Sequence, residues 1–266
     1  MSLAEKVQSL KSVRVTESER IAILTLANPP VNAVAPAVLD ELNHALTAIE
    51  HEANILAVVI TGGPTRFFSA GADVAAFQRH TEAQNVEYSK KGLTLFDRIE
   101  VFPKPVVAAV NGFAFGGGAE LALACDVRIF AESAKFGLPE ITLGILPGWG
   151  GMQRLSNMVG RGRTLEISLS GRQVDAKEAA AIGLATAAVP DAELAARALS
   201  VAKQLGAMPG MATKEIKARM ADGAGRPLSE SLPKDVEALM RLMKSEDAKE
   251  GRTAFFEKRP PKFQGR

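Results

Sequence analysis

The chain is short of the groups that usually announce reactive chemistry. It has one cysteine, Cys125, in 266 residues. No intrachain disulfide can form, and a reducing compartment fits. Cys125 closes an apolar run and reads as a small buried hydrophobe. The three histidines, His44, His51 and His80, lie far apart, so no dedicated zinc site is expected. Ser69, in FSAGA, does not form a G-x-S-x-G elbow and has no histidine near it in sequence. The glycines match neither a dinucleotide fingerprint nor a P-loop, so neither NAD nor ATP is indicated and no cofactor is expected. Charge of one sign is lacking too. A net charge of +2 sets up no field for nucleic acid or for a membrane surface. No apolar run is long enough to span a bilayer, and MSLAEKVQSLKSV has no signal-peptide core. The expectation is a soluble, cytoplasmic protein. Linkers, low-complexity tracts and sequence repeats are also missing.

What is present is an ordinary globular composition, 47% hydrophobic and 23% charged, with a regular alternation of elements. VRV and IAILTL read as two strands around a turn at Glu17-Ser18-Glu19, ended by Asn28-Pro29-Pro30. Pro36 then opens a helix in which Val38, Leu39, Leu42, Ala45, Leu46 and Ile49 recur at helical spacing. Residues 56–61, 106–110 and 127–130 are short apolar runs, read as buried strands. A helix from about Asp73 and a longer one over 84–99 fall between the first two. After Gly150 the chain is mostly helical, with one short strand predicted at 184–189. Strands alternating with helices argue an α/β fold. A division near Pro190 separates a strand-containing body, 1–190, from a helical tail, 191–266.

The stretch from Asn111 to Gly150 organises the rest. Gly116, Gly117 and Gly118 run into a short apolar helix expected to begin near Ala119. Glycines let a ligand approach the backbone, and the first N–H groups of a helix have no intrahelical partner. Glu120 lies in the first turn of that helix, where a carboxylate also simply offsets the helix dipole. Glu140 follows Pro139 in a predicted loop, where a turn carboxylate or a subunit salt bridge is the plain reading. Their shared apolar surroundings favour more than that. Unpaired carboxylates there have raised pKa values, and a close pair can hold one water, one taking its proton while the other donates.

Three segments, SAGADV, PKPVVAAVNGFAFGGGAELALACDVR and FGLPEITLGILPGWGGMQRL, together resemble the crotonase, or enoyl-CoA hydratase/isomerase, superfamily. The resemblance runs from NPPVNAV to the C-terminal AFFEKRPPKF. It implies a crotonase-like spiral of ββα units with a C-terminal helical region that assembles trimers or hexamers, and an acyl-CoA thioester as substrate. Coenzyme A is then part of the substrate. By resemblance, the peptide N–H groups of Ala72 and Gly117 form the oxyanion hole. Donors of that kind are worth roughly 3–4 kcal/mol each. Glu120 and Glu140 fall on the positions that hold the attacking water, and Gly148 on one whose backbone contacts it. Ala33, Ala70 and Asp73 fall along the substrate path. The implied reaction is hydration of a trans-2-enoyl-CoA to a 3-hydroxyacyl-CoA, with isomerisation or another crotonase-type lyase step as the alternative.

Two departures stand out. Ala75 occupies a position where several hydratases carry a lysine near the nucleotide, and Trp149 one that is often small. Trp149 either fills the core or shapes the acyl pocket. A different class, a non-catalytic acyl-CoA binder with a small basic end at Lys258, Arg259, Lys262 and Arg266, is opposed by the intact glutamate pair.

Overall fold

Three successive strand pairs each place one member in each of two sheets, and a helix follows each pair. The computed structural model describes residues 2–265. Its strands are β1 (Val13–Ser18), β2 (Ile21–Leu26), β3 (Ala57–Thr61), β4 (Phe67–Ser69), β5 (Val106–Val110), β6 (Phe113–Phe115), β7 (Val127–Ala131), β8 (Lys135–Gly137), β9 (Val174–Asp175) and β10 (Ala187–Val189). The helices are α1 (Leu3–Val7), α2 (Pro36–Glu50), α3 (Val74–Arg79), α4 (Glu82–Glu100), α5 (Gly117–Ala124), α6 (Gly151–Val159), α7 (Arg161–Ser170), α8 (Ala176–Ala181), α9 (Leu194–Gly206), α10 (Gly210–Gly223), α11 (Leu228–Leu242) and α12 (Glu246–Glu257).

The larger sheet has the order β1-β2-β3-β5-β7-β10 and is parallel apart from the β1–β2 hairpin. The smaller has the order β4-β6-β8-β9, with only β9 antiparallel. Thus β3→β4, β5→β6 and β7→β8 each step from one sheet to the other before a helix returns the chain. This is the expected α/β spiral of ββα units. Strand β5 reads VVAAV and is buried at every position, as a parallel strand covered on both faces must be. Helix α2 buries all six of its predicted apolar residues, and the valine, leucine and isoleucine side chains among them are each worth about 1.5–3 kcal/mol when fully removed from water. Helix α5 is buried all round, so its one charged residue, Glu120, lies inside the protein.

The links between sheets are stacked by side-chain bonds. Asn111 Oδ1 accepts from Gly62 N–H at 2.8 Å, and its amide donates to Thr65 O at 2.8 Å. The glycine of this Asn-Gly turn is needed for close approach, since a Cβ on Gly112 would lie 2.2 Å from Arg66 O.

Helix α9 lies on the larger sheet through a stripe of Leu194, Ala198, Ala202 and Gly206. Helices α10 to α12 extend beyond it. Lys217 of α10 ties them down, its Nζ donating to Asp126 Oδ2 at 2.8 Å and to the carbonyls of Ile99 and Lys104. By contrast Leu228, Leu232, Val236, Leu239, Met240, Met243, Phe255 and Phe256 are exposed on α11, α12 and the turn between them.

Several local features differ from the sequence reading. The first hairpin turns at Glu19 and Arg20, both at positive φ, a two-residue turn whose twist suits a hairpin despite lacking glycine. Helix α5 begins at Gly117, and Glu140 lies in a 3₁₀ turn, Pro139–Leu143, instead of an open loop. The last predicted strand shortens to Ala187–Val189. The smaller sheet was not anticipated, because strands of two or three residues carry no readable period.

Candidate active site

The first wall of the site is the segment 70–73. Asn32, buried between turns, donates to the carbonyls of Gly62 and Phe67 at 3.1 Å each. This holds the loop at 31–34 beside 70–72, where Val34 and Ala72 form an isolated parallel bridge. Val34 N–H donates to Gly71 O at 2.7 Å and Ala70 N–H to Val31 O at 3.0 Å. Gly71 N–H donates to Ser69 Oγ at 3.1 Å. Asp73 caps α3 with its carboxylate, accepting from Ala76 N–H at 3.0 Å. Ala33, Ala70, Ala72 and Asp73 are therefore brought together, with the Asp73 side chain already occupied by the cap.

The second wall is the start of α5. Gly116 takes φ +50 and ψ −125, a conformation that needs glycine. The Gly116 N–H is used by Gly137 O at 3.0 Å. The next donor, Gly117 N–H, is the first of the helix and finds no acceptor among the described residues; nor does Ala72 N–H. The two are neighbours: a Cβ added to Gly117 would stand 3.1 Å from Ala72 N, and one added to Gly71 would stand 3.2 Å from Gly117 N. Two free peptide donors this close together are what a single oxygen that gains charge requires.

The two carboxylates lie near each other, close enough for the Glu120 charge to act on Glu140. Glu120 Oε1 accepts from Trp149 N–H and from Gly151 N–H, each at 2.8 Å. Gly151 is the first residue of α6, so the carboxylate sits at a helix N-terminus, where negative charge is favoured. Burial raises the Glu120 pKa, while the two peptide donors and the Arg154 charge pull it back. Glu140 lies over Gly116, whose Cβ would come within 2.8 Å of Glu140 Oε1. Its Oε2 is buried without a partner. Burial is the main reason that its pKa rises to about 7; its own peptide N–H opposes the rise and the nearby Glu120 charge adds to it. The pair is thus asymmetric. Glu120 is held by donors that suit a carboxylate, whereas Glu140 suits the protonated form near neutral pH.

Trp149 resolves to the core. It is 3% exposed, edge-on to Tyr88 and Phe96 with centroids at 5.4 Å. Its ring also backs Gly117 closely enough that a Cβ there would meet Cζ3 at 2.3 Å. Gly148, next to it, is exposed, and a Cβ there would meet nothing within 4 Å.

Sequence reasoning missed Arg154, Tyr88 and Gly92. Buried Arg154 donates to Trp149 O at 2.7 Å, Asp97 at 2.6 Å and Glu100 at 2.9 Å. It thereby fixes the loop that holds Glu120. Gly92 makes room for the indole, since a Cβ there would meet Trp149 Cε2 at 2.2 Å. A glycine inside a helical pattern was the available signal for such a contact. Of the suggested basic end, Arg259 is bound up with Glu250 and Glu257, and Arg266 lies outside the described residues.

Residues 16–266 match the family model described as Enoyl-CoA hydratase/isomerase. The chain is 39% identical over 261 residues to a probable enoyl-CoA hydratase of Bacillus subtilis, covering 96% of this chain and 100% of the relative. It is 36% identical to the short-chain-enoyl-CoA hydratase of Clostridium acetobutylicum, covering 94% and 96%. Among solved structures, enoyl-CoA hydratase from Bacillus anthracis superposes with a TM-score of 0.90 at 36% identity, covering 96% of this chain and 100% of that one.

Proposed function

The chain belongs to the enoyl-CoA hydratase/isomerase family, and from that premise we propose that it adds water to a trans-2-enoyl-CoA to give a 3-hydroxyacyl-CoA. The observation that carries the reading is the unequal pair: a carboxylate held by two peptide donors, and a second with a buried, unpartnered oxygen. Hydration needs both a base for the water and an acid for the carbon.

In this reading the thioester oxygen accepts from the Ala72 and Gly117 N–H groups. Glu120 takes a proton from water as its oxygen bonds to C3. The electron pair of the double bond moves toward the thioester, giving an enolate that the two donors stabilise. Glu140 then gives its proton to C2. One proton leaves the water and one reaches the substrate, so transfer between the two glutamates restores the starting state. Ala33, Ala70, Asp73 and Gly148 line the way in through their backbone. Acyl-CoA is the substrate, and no separate cofactor enters the reaction.

Loss of the enoyl-thioester absorbance with crotonyl-CoA tests the assignment. Turnover is expected, with kcat/KM falling as pH rises above about 7, because Glu140 then loses the proton it must donate. No turnover on crotonyl-CoA or on longer enoyl-CoAs would sink the reading.

The same reading gives residues 191–266 the work of assembly, outside a catalytic body of 1–190, with a homotrimer or a pair of trimers as the product. The exposed apolar residues of α11 and α12 support it, since a patch of that kind on a lone subunit marks an interaction surface. Light scattering should return three or six times 28.2 kDa; a monomer at micromolar concentration contradicts it. Among the described residues no helix is long and apolar enough to cross a membrane. One buried cysteine suits a reducing, cytoplasmic setting.

A further inference from the structure

We propose that Tyr88 is a positioning residue for the oxyanion hole, fixing both of its donors at once; the inference rests on the reading of Ala72 and Gly117 as that hole. Tyr88 is the only tyrosine in the chain and is 2% exposed. Its hydroxyl accepts from Asp73 N–H at 3.0 Å and donates to Val34 O. These are the two groups that a continued parallel pairing of Val34 with Ala72 would join. Val34 in turn donates its N–H to Gly71 O. That carbonyl belongs to the same rigid peptide plane as the Ala72 N–H. The hydroxyl therefore closes a ring of bonds around one peptide unit, on which only the Ala72 N–H is left free.

The ring of Tyr88 reaches the other donor. It lies edge-on to Trp149 at 5.4 Å, and the six-membered ring of that indole lies against Gly117. Phe77 also packs on the phenol, with centroids at 4.9 Å. One side chain thus spans the segment that orients Ala72 N–H and the wedge that sets the position of Gly117 N–H. The separation of two donors decides how well they share one oxygen, and an error of about 1 Å at a reacting centre can lower the rate by about 10²-fold. Tyr88 does not need to touch the substrate to have this effect.

The test is Tyr88→Phe, which keeps the ring and removes the hydroxyl. An aryl-substituted enoyl-CoA reports on the hole directly, because its absorption moves to the red when the thioester carbonyl is polarised. Wild type is expected to show the red shift. Tyr88→Phe should lose at least half of that shift and about 10- to 100-fold in kcat, while the Kd of a saturated acyl-CoA changes less than threefold. Leu42→Ala, a deletion in the core of α2, should lower Tm without moving the red shift. A Tyr88→Phe enzyme with the full shift and unchanged kcat overturns the proposal. So does a loss of shift that Leu42→Ala reproduces, since it would then follow from stability alone. A wild type that binds the probe with no shift sinks the oxyanion-hole reading itself, and this inference with it.

Discussion

Glu120→Gln and Glu140→Gln should each lower kcat for hydration by about 10²- to 10⁴-fold, the range for removing a positioned acid or base. Glutamine keeps the shape of either side chain but can neither take the proton from water nor give one to C2. The two losses have different stability signatures. The folded-state pKa of Glu140 is raised to about 7 from an ordinary 4.5. Between those values the folded state holds a proton that the unfolded chain releases, so stability falls as pH rises through the window and stays lowered above it. Glutamine has no charge to bury. Glu140→Gln should therefore melt higher than wild type at pH 8, with the difference fading toward pH 4.5. Thermal scans across that range check it, and an inactive variant that melts higher cannot owe its inactivity to unfolding. Burial raises the Glu120 pKa as well, but Glu120→Gln should gain less at pH 8, because it leaves the N–H groups of Trp149 and Gly151 facing an amide in place of a carboxylate.

Gly117→Ala carries the second large effect. The added methyl would stand 2.3 Å from Trp149 Cζ3 and 3.1 Å from Ala72 N. The indole is fenced by Tyr88 and Phe96, so the clash is relieved mainly by moving the start of α5 and with it the Gly117 N–H. We expect kcat to fall by about 10²-fold or more, as when one oxyanion donor is lost, and stability to fall by about 1–3 kcal/mol from overpacking. Gly162→Ala, at an exposed position of α7, is the contrasting variant. Its methyl meets nothing within 4 Å, and Tm and kcat should stay close to wild type. Steady-state kinetics and melting curves on the pair separate a site built on close approach from a general intolerance of change.

What could be read in advance was whatever repeats or is chemically marked. The α2 helix shows because its six buried residues keep a 3.6-residue period, and β5 shows because five small and branched apolar residues stand together. The glycine run at 116–118 and the two glutamates were visible as residue types whose placement is costly without a purpose. The smaller sheet was hidden, since FFS, FAF and KFG are too short for any pattern. Helix α1 was missed although Ser2 and Glu5 form a capping box, a signal that was present. The roles of Trp149, Gly92 and Tyr88 depend on contacts between α4, α5 and the loop before α6. No local pattern encodes such contacts, and a tryptophan in sequence reads the same whether it lines a pocket or backs a glycine. The asymmetry of the glutamates was equally out of reach, because it comes from which peptide N–H groups the fold aims at each carboxylate.

Addition of one water across one double bond by the two glutamates is read out by turning over crotonyl-CoA in D₂O enriched in ¹⁸O and weighing the product. Wild type is expected to give 3-hydroxybutyryl-CoA carrying one ¹⁸O at C3 and one carbon-bound deuterium at C2, with neither label gained by the Glu120→Gln variant on the wild-type timescale. Consumption of the substrate with no ¹⁸O in the product would contradict it, leaving a proton-shuttling isomerase in place of a hydratase.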